Sequence, residues 1–211
     1  MCIYSKWHSE KDVSIGDSVY LQYIEKGRVY TLARDAVNDS SFCLKGSNYE
    51  PKLCYIVSVI NGKPRSKAEL FVEPGDINIK IGGYRTILSD TLLNTRLQEY
   101  NDSIFLIEQM FNNFYERRKI KTLSAAAIEE AEKGMKVLGL ACKEYITRFI
   151  EKNIDNPVCS YILMKNYEFI DPQKGLFYIS QMPQENKSDT TIRHIEHTFR
   201  NKILTSEGNR F

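Results

Sequence analysis

Residues 93–114, LNTRLQEYNDSIFLIEQMFNNF, decide the fold because their apolar side chains keep a helical period without a break. The spacings are 4, 3, 4, 3, 4 and 3 residues, at Leu93, Leu97, Tyr100, Ile104, Ile107, Phe111 and Phe114. Such spacing places every one of these side chains on one side of a helix. The stretch therefore predicts a long helix with a seam that packs against another helix.

A second seam follows the polar residues 116–122, ERRKIKT. It comprises Ile128, Ala131, Met135, Leu138, Cys142, Tyr145 and Phe149. Ser124 is placed to cap this second helix. Two long helices joined by a short loop are expected to pack as an antiparallel hairpin. A strict heptad seam also suits a helix from a second copy of the chain, so a homodimer stays open.

Further helix signals follow towards the C-terminus. Asn156-Pro157 and Asp171-Pro172 each combine a capping side chain with a proline at the first helical position, which predicts two shorter helices. Pro183 ends the second of them, and Ser188-Asp189 begins a last helix that runs to about Leu204.

Residues 1–88 have the two-residue period of β-strands instead. SVYLQYIEKGRVYTLARDAV (18–37) reads as two strands around a turn at Glu25-Lys26-Gly27, KLCYIVSVI (52–60) as a central strand, and INIKI (77–81) as an alternating strand. Asn61-Gly62-Lys63-Pro64 is expected to break the chain between strands. The fold class is α+β: an antiparallel β-sandwich or open barrel over 1–88, a helical domain over 89–205, and a junction at 206–211.

The totals exclude several classes of protein. The 211 residues are 42% hydrophobic and 27% charged, with a net charge of +2. Such a balance gives no electrostatic case for nucleic-acid binding. No apolar run reaches the length of a transmembrane helix, and the first residues have no apolar signal core. Residues 116–121 are basic, but cations at the end of a helix are typical of a solvated surface.

The five cysteines are Cys2, Cys43, Cys54, Cys142 and Cys159. They contain no C-x-x-C pair, which argues against zinc-ribbon, haem-attachment and thioredoxin-type sites. Cys43 and Cys54 are a candidate disulfide across a hairpin. Buried thiols that act as small hydrophobic groups are the favoured interpretation for most of the five.

His194 and His197 are three residues apart, so both imidazoles lie on one face of a helix and are weak candidate metal ligands. The third histidine, His8, is far away in sequence, and two ligands do not complete a zinc site. We therefore expect no metal, no cofactor and no catalytic residue in this chain. Trp7 and Tyr20 could belong to a sugar-stacking face, although aromatic residues in strands more often pack within the sheet.

Six stretches resemble, in order, one family. They are DSVYLQYIEKGRVYTLARDAV (17–37), SSFCLKG (40–46), LCYIVSV (53–59), ELFVEPGDINIKI (69–81), LSDTLLNTRLQEYND (88–102) and FIEKNIDNPVCSYILMKN (149–166). They are similar to the uncharacterised β-sandwich and helical module at the N-terminus of TlpA-like, thioredoxin-fold thiol-disulfide oxidoreductases of the bacterial cell envelope. The resemblance implies a periplasmic or envelope location.

The resemblance also implies a partner for the chain end, LTSEGNRF (204–211). Gly208 and Phe211 match a family junction, G-x-x-F, after which a thioredoxin-like domain begins. The chain is then expected to be a non-catalytic accessory module that positions a partner or dimerises, with the fused domain as that partner. Reductase chemistry would need a C-x-x-C at a helix N-terminus, so no catalytic residue carries over.

Three departures and two alternatives accompany this resemblance. No secretion signal is visible. Cys2 is a candidate for the lipidated cysteine of a mature lipoprotein with an added Met, although strand-like sequence follows it at once and an anchor normally needs a flexible spacer. The first strand lacks a glycine that the family usually has, and the family's envelope location would permit a Cys43–Cys54 disulfide. The alternatives are a stand-alone envelope protein that binds a glycan or peptide, and a metalloenzyme built on His194 and His197.

Overall fold

The computed structural model describes residues 2–7, 18–38, 41–46, 50–60, 63–82, 85–89, 91–120, 122 and 124–208. The chain is α+β, as predicted, with strands first and helices after them. It divides into two compact units, Met1–Glu99 and Tyr100–Phe211. The predicted turn at Asn61-Gly62 and the last three residues, 209–211, lie outside the described residues.

The first unit contains eight described strands in two four-stranded sheets. Their order is β4-β1-β7-β8 in one sheet and β3-β2-β5-β6 in the other. The strands are β1 (Cys2–Trp7), β2 (Ser18–Glu25), β3 (Arg28–Ala36), β4 (Ser41–Lys45), β5 (Lys52–Ile60), β6 (Lys63–Val72), β7 (Ile77–Gly82) and β8 (Arg85–Ser89).

Alternation of buried and accessible residues builds the core of this unit. The inward positions include Leu21 in β2, Leu44 in β4, Ile56 in β5 and Ile77 in β7, each of which has no solvent-exposed surface. Such burial is the main favourable term in folding, at roughly 1.5–3 kcal/mol for each large aliphatic side chain. The two-residue period read from the sequence is therefore confirmed as an inward and outward alternation.

The turn between β2 and β3 explains why residue 27 is a glycine. Lys26 and Gly27 have positive φ angles of 49° and 75°. Positive φ at both central residues is the hallmark of the two-residue hairpin turn whose twist matches the flanking strands. Gly27 adopts this conformation without the steric cost that a Cβ would add.

Three strand features differ from the sequence-based expectations. β1 pairs in parallel with β7, through Ile3 opposite Ile77, so one sheet is mixed. Lys63 and Pro64, expected in a turn, begin β6. A proline has no backbone N–H to donate. It is tolerated there because β6 lies at the edge of its sheet, where an outward backbone N–H is not needed. The short strand β8, Arg85–Ser89, was not predicted from the sequence.

The helices are α1 (Leu92–Arg118), α2 (Ala125–Lys152), α3 (Pro157–Asn166), α4 (Pro172–Gln181), α5 (Gln184–Lys187) and α6 (Thr190–Gly208), with a 3₁₀ turn at Tyr167–Phe169. α6 extends four residues beyond the predicted end at Leu204, and the short α5 was not predicted. No helix among the described residues has the length and apolarity needed to cross a membrane.

Ring contacts show that α1 and α2 form the predicted antiparallel hairpin. At one end, Tyr100 of α1 lies 5.2 Å from Phe149 and 6.1 Å from Tyr145, measured between ring centroids. At the other end, a Cβ added to Gly134 of α2 would lie 2.7 Å from the Phe114 ring of α1. The early part of one helix therefore lies beside the late part of the other.

The predicted helix starts are confirmed by capping hydrogen bonds. Ser124 Oγ accepts from Ala127 N at 3.3 Å, and Asn156 Oδ1 accepts from Val158 N at 3.0 Å. Asp171 Oδ1 accepts from two backbone amides at 3.0 Å, and Asp189 Oδ1 accepts from Thr191 N at 2.7 Å. Each cap contributes about 1 kcal/mol by satisfying a backbone N–H that the helix itself leaves open.

Buried polar side chains tie the second unit together. Asn166 Nδ2 donates to the Tyr100 hydroxyl at 3.0 Å and to Ile162 O at 2.7 Å. The Tyr178 hydroxyl donates to Glu151 Oε1 at 2.8 Å. Burial raises the pKa of Tyr100 to about 12 and also raises the pKa of Tyr178. These phenols therefore act as neutral hydrogen-bonding groups.

Candidate functional site

A buried polar cluster with several hydrogen bonds joins two of the family-like stretches. Glu73, in the turn after β6, accepts hydrogen bonds at Oε1 from Leu93 N at 2.9 Å and from Asn94 N at 3.2 Å. Both amides belong to the first turn of α1, where backbone N–H groups have no partner within the helix. A carboxylate at this position also suits the helix dipole. Glu73 therefore fixes the start of α1 to the end of β6.

Asn94 strengthens the same link from the helix side. Its Oδ1 accepts from Phe71 N at 2.8 Å, while its Nδ2 donates to Phe71 O at 2.7 Å and to Thr91 Oγ1 at 2.8 Å. The carboxamide thus bonds β6 as a peptide group of a neighbouring strand would. Because β6 is an edge strand, Asn94 also covers part of an open edge.

We name Glu73, Thr91 and Asn94 the helix clamp. Asn94 is fully buried, and Glu73 and Thr91 are 8% and 9% exposed. Gln98 adds a further tie, because its Oε1 accepts from Leu88 N at 2.7 Å. These bonds explain why the first unit includes residues up to Glu99, beyond the predicted boundary after residue 88. The helix clamp fixes the first turn of α1 within the first unit, which is a positioning role and not a chemical one.

The candidate disulfide partners lie in different sheets. The predicted hairpin between Cys43 and Cys54 is wrong, because β4 pairs with β1 while β5 pairs with β2 and β6. Cys43 alternates with buried Phe42 and Leu44, so it lies on the outward side of β4, whereas Cys54 is fully buried. The two cysteines do not form a disulfide.

Burial keeps the core thiols protonated. Burial raises the pKa of Cys54 to about 12, against a small opposing effect of Lys52. Burial, with a further contribution from the Asp155 charge, raises the pKa of Cys159 to about 12. The pKa of Cys142, on the hairpin seam, is raised by the same cause. A thiol must ionise to act as a nucleophile, so these three side chains are inert near neutral pH.

The two histidines lie on the exposed surface of α6. The His197 Nδ1 atom is 3.1 Å from Asn201 Nδ2, and His194 is also exposed. Within the described residues, no group of three His, Cys, Asp or Glu side chains could hold a metal ion. His8, the remaining histidine, lies outside the described residues, and so do the side chains of Trp7 and Cys2.

An aromatic pair lies near the turn of the β2–β3 hairpin. Tyr23 and Tyr30 stack with their ring centroids 5.1 Å apart and their planes 17° from parallel. Lys52 Nζ lies 4.0 Å from the centre of the Tyr23 ring, a cation–π distance. Tyr30 is 40% exposed. We name Tyr23, Tyr30 and Lys52 the aromatic face; Tyr20, the sequence candidate, is not part of it.

The basic end of α1 is neutralised by neighbouring carboxylates. Lys119 Nζ lies 2.9 Å from Glu116 Oε1, and Arg118 Nε lies 3.5 Å from Glu132 Oε1 on α2. These side chains are exposed, in agreement with the solvated helix end that the sequence favours, and ion pairs of this kind contribute little free energy.

Sequence reasoning missed the helix clamp as a unit, although its residues stand inside two quoted stretches. The available signal was a Glu in the turn before a strand, followed some twenty residues later by an Asn at the third position of a helix. Such a pairing becomes visible only when the fold brings the two turns together. Comparison with known proteins found no match to this chain among protein-family models or curated proteins.

Proposed function

We propose that this chain is a non-catalytic accessory module of a cell-envelope thiol-disulfide oxidoreductase, where it positions a partner or dimerises. The fused partner is a thioredoxin-like domain that follows residues 206–211. The observation that carries the proposal is the order of the six family-like stretches along the chain, and the raised pKa of the buried Cys54 and Cys159, about 12, agrees with core thiols that are not nucleophiles. Buried, protonated thiols are unsuited to the disulfide exchange of this enzyme class, which needs an accessible thiolate.

The helix clamp supports the same proposal. Residues of ELFVEPGDINIKI and LSDTLLNTRLQEYND, which resemble the family's turn and helix start, bond each other through Glu73 and Asn94. Two stretches that resemble the family thus meet in one buried, hydrogen-bonded cluster. A module built to hold a partner needs a well-ordered first unit, and these bonds order the end of β6 and the first turn of α1.

Reduction of insulin disulfides tests this proposal. The purified 211-residue chain with a reductant should give no rate above that of the same chain with its thiols blocked, and thioredoxin should serve as the positive control. A rate well above the blocked control would overturn the non-catalytic assignment.

The aromatic face favours a second candidate, an envelope protein that binds a glycan or a peptide. A stacked tyrosine pair beside a partly exposed lysine offers a flat apolar platform and a cation, both of which suit sugar rings and extended peptides. Glycan and peptide arrays test it, with Tyr30→Ala as the site variant and Tyr115→Ala, also an exposed tyrosine, as the matched control. No binding by the folded chain would remove this candidate.

A further inference from the structure

The outer surface of α2 carries a regular stripe of exposed side chains. Successive members are 4, 4, 3, 4 and 4 residues apart, so all lie on one face of the helix. We name this set the outer stripe: Glu129, Lys133, Val137, Leu140, Glu144 and Arg148. It lies away from the seam that packs on α1, where Ala131 is only 2% exposed.

The centre of the outer stripe is apolar and the two ends are charged. Val137 and Leu140 are 64% and 62% exposed. Lys133 pairs with Glu129 at 2.8 Å on one side, and Arg148 pairs with Glu144 at 2.5 Å on the other. An apolar centre with a charged rim is the usual composition of a protein interface.

We propose that the outer stripe binds a second copy of this chain, with the two α2 helices antiparallel about a two-fold axis between Leu138 and Gly139. In this register each residue faces the partner residue at the same distance on the other side of the axis. Val137 then packs against the partner's Leu140, and Leu140 against the partner's Val137. The exposed apolar centre becomes buried on both copies.

The charges favour this arrangement because they are complementary in this register and clash after a shift of one helical turn in either direction. Lys133 faces the partner's Glu144, and Glu129 faces the partner's Arg148. A shift of one helical turn in one direction sets Lys133 against the partner's Arg148. A shift in the other direction sets Glu129 against the partner's Glu144. Like charges in contact disfavour both shifts, so the ends of the stripe specify the pairing.

The apolar centre supplies the affinity and the charges supply the register. Exposed ion pairs contribute little free energy, because water already solvates both groups. The four charged side chains are held on the stripe by their pairs within the helix. Little side-chain conformational entropy is therefore lost when the second copy binds. The outer stripe is the surface through which the dimerisation in the proposed function takes place. The inference depends on the proposed function only for the biological role of the dimer.

Analytical ultracentrifugation of single variants tests the apolar centre. Leu140→Lys should raise the dissociation constant of the dimer by ~10-fold or more, because it places a charge in the centre of the contact. Leu204→Lys is the matched control, since Leu204 is 65% exposed on α6 and lies outside the stripe. It should leave the dissociation constant unchanged.

A charge exchange tests the register. Lys133→Glu sets like charges against the partner's Glu144, and Glu144→Lys does the same against the partner's Lys133, so each variant alone should dimerise poorly. A mixture of the two variants restores opposite charges at both contacts and should form heterodimers. One variant is ¹⁵N-labelled so that native mass spectrometry distinguishes the species. The pairs within each helix stay broken in the mixture, so they cannot produce this rescue.

Two results would overturn the inference. The first is a monomer throughout roughly 1 µM to 1 mM, a range that spans weak to moderate affinities. The second is a dimer that Leu140→Lys leaves intact or that the mixed charge variants fail to restore. Neither result bears on the insulin assay, so failure of this surface and failure of the non-catalytic assignment are distinguishable.

Discussion

Replacing Asn94 by alanine should destabilise the first unit more than any exposed asparagine substitution on the same helix. The side chain is fully buried, and its amide bonds the edge strand β6 as well as Thr91. Alanine keeps the helix propensity high, so the loss comes from the missing hydrogen bonds and not from the helix itself.

The size of the effect follows from three short bonds. The Asn94 amide is 2.8 Å from Phe71 N, 2.7 Å from Phe71 O and 2.8 Å from Thr91 Oγ1. Each bond contributes about 0.5–1.5 kcal/mol net, so together they stabilise the unit by roughly 2–4 kcal/mol. For a denaturant slope of about 2 kcal/mol/M, the urea midpoint should fall by about 1–2 M.

Urea unfolding with two probes measures this loss. The sequence has one tryptophan, Trp7, and it belongs to β1, so fluorescence follows the first unit. Far-UV circular dichroism follows mainly the helices. Asn112→Ala, at an exposed position of α1, is the matched control and should change stability by less than about 0.5 kcal/mol. A loss below about 1 kcal/mol for Asn94→Ala would refute the helix clamp.

Two further predictions concern the core thiols and two helical glycines. Because the folded pKa of Cys54 and of Cys159 is about 12 against an ordinary 9.0, the unfolded thiols ionise first, and each lowers stability by ~1.4 kcal/mol per pH unit as pH rises above 9. The double alanine variant should flatten that slope in urea titrations at increasing pH, and an unchanged slope would contradict the burial argument. Gly175→Ala should lower stability by about 1–3 kcal/mol, since the new Cβ would lie 2.5 Å from Phe199 Cζ. Gly139→Ala, with nothing within 4 Å, should instead gain up to ~1 kcal/mol; equal melting temperatures for the two variants would disprove this contrast.

The helical half could be predicted from the sequence because its signals are local. The 4-3 spacing from Leu93 to Phe114 and the capping residues Ser124, Asn156 and Asp171 act within a few residues of each other. Tertiary packing then only had to join two seams that were already complete. For this reason the hairpin and the helix starts agree with the structure, apart from the additional turn of α6.

Most strands of the β half were predicted, apart from β8 and the start of β6, but their pairing into sheets was not. Strand period is a local property, whereas pairing depends on residues far apart, such as Ile3 opposite Ile77. The same limit explains the Cys43–Cys54 hairpin: neighbours in sequence were assumed to be neighbours in space. The helix clamp was missed for this reason too, since Glu73 and Asn94 meet only in the folded chain.

The most direct test of the account is mass spectrometry of the endogenous protein from its native cells, with a search for peptides that continue past Phe211. An accessory module of an oxidoreductase predicts such peptides, including one with a W-C-x-x-C sequence from a thioredoxin-like domain. A mature C-terminus at Phe211 would contradict that account, and binding at the aromatic face would then become the leading function.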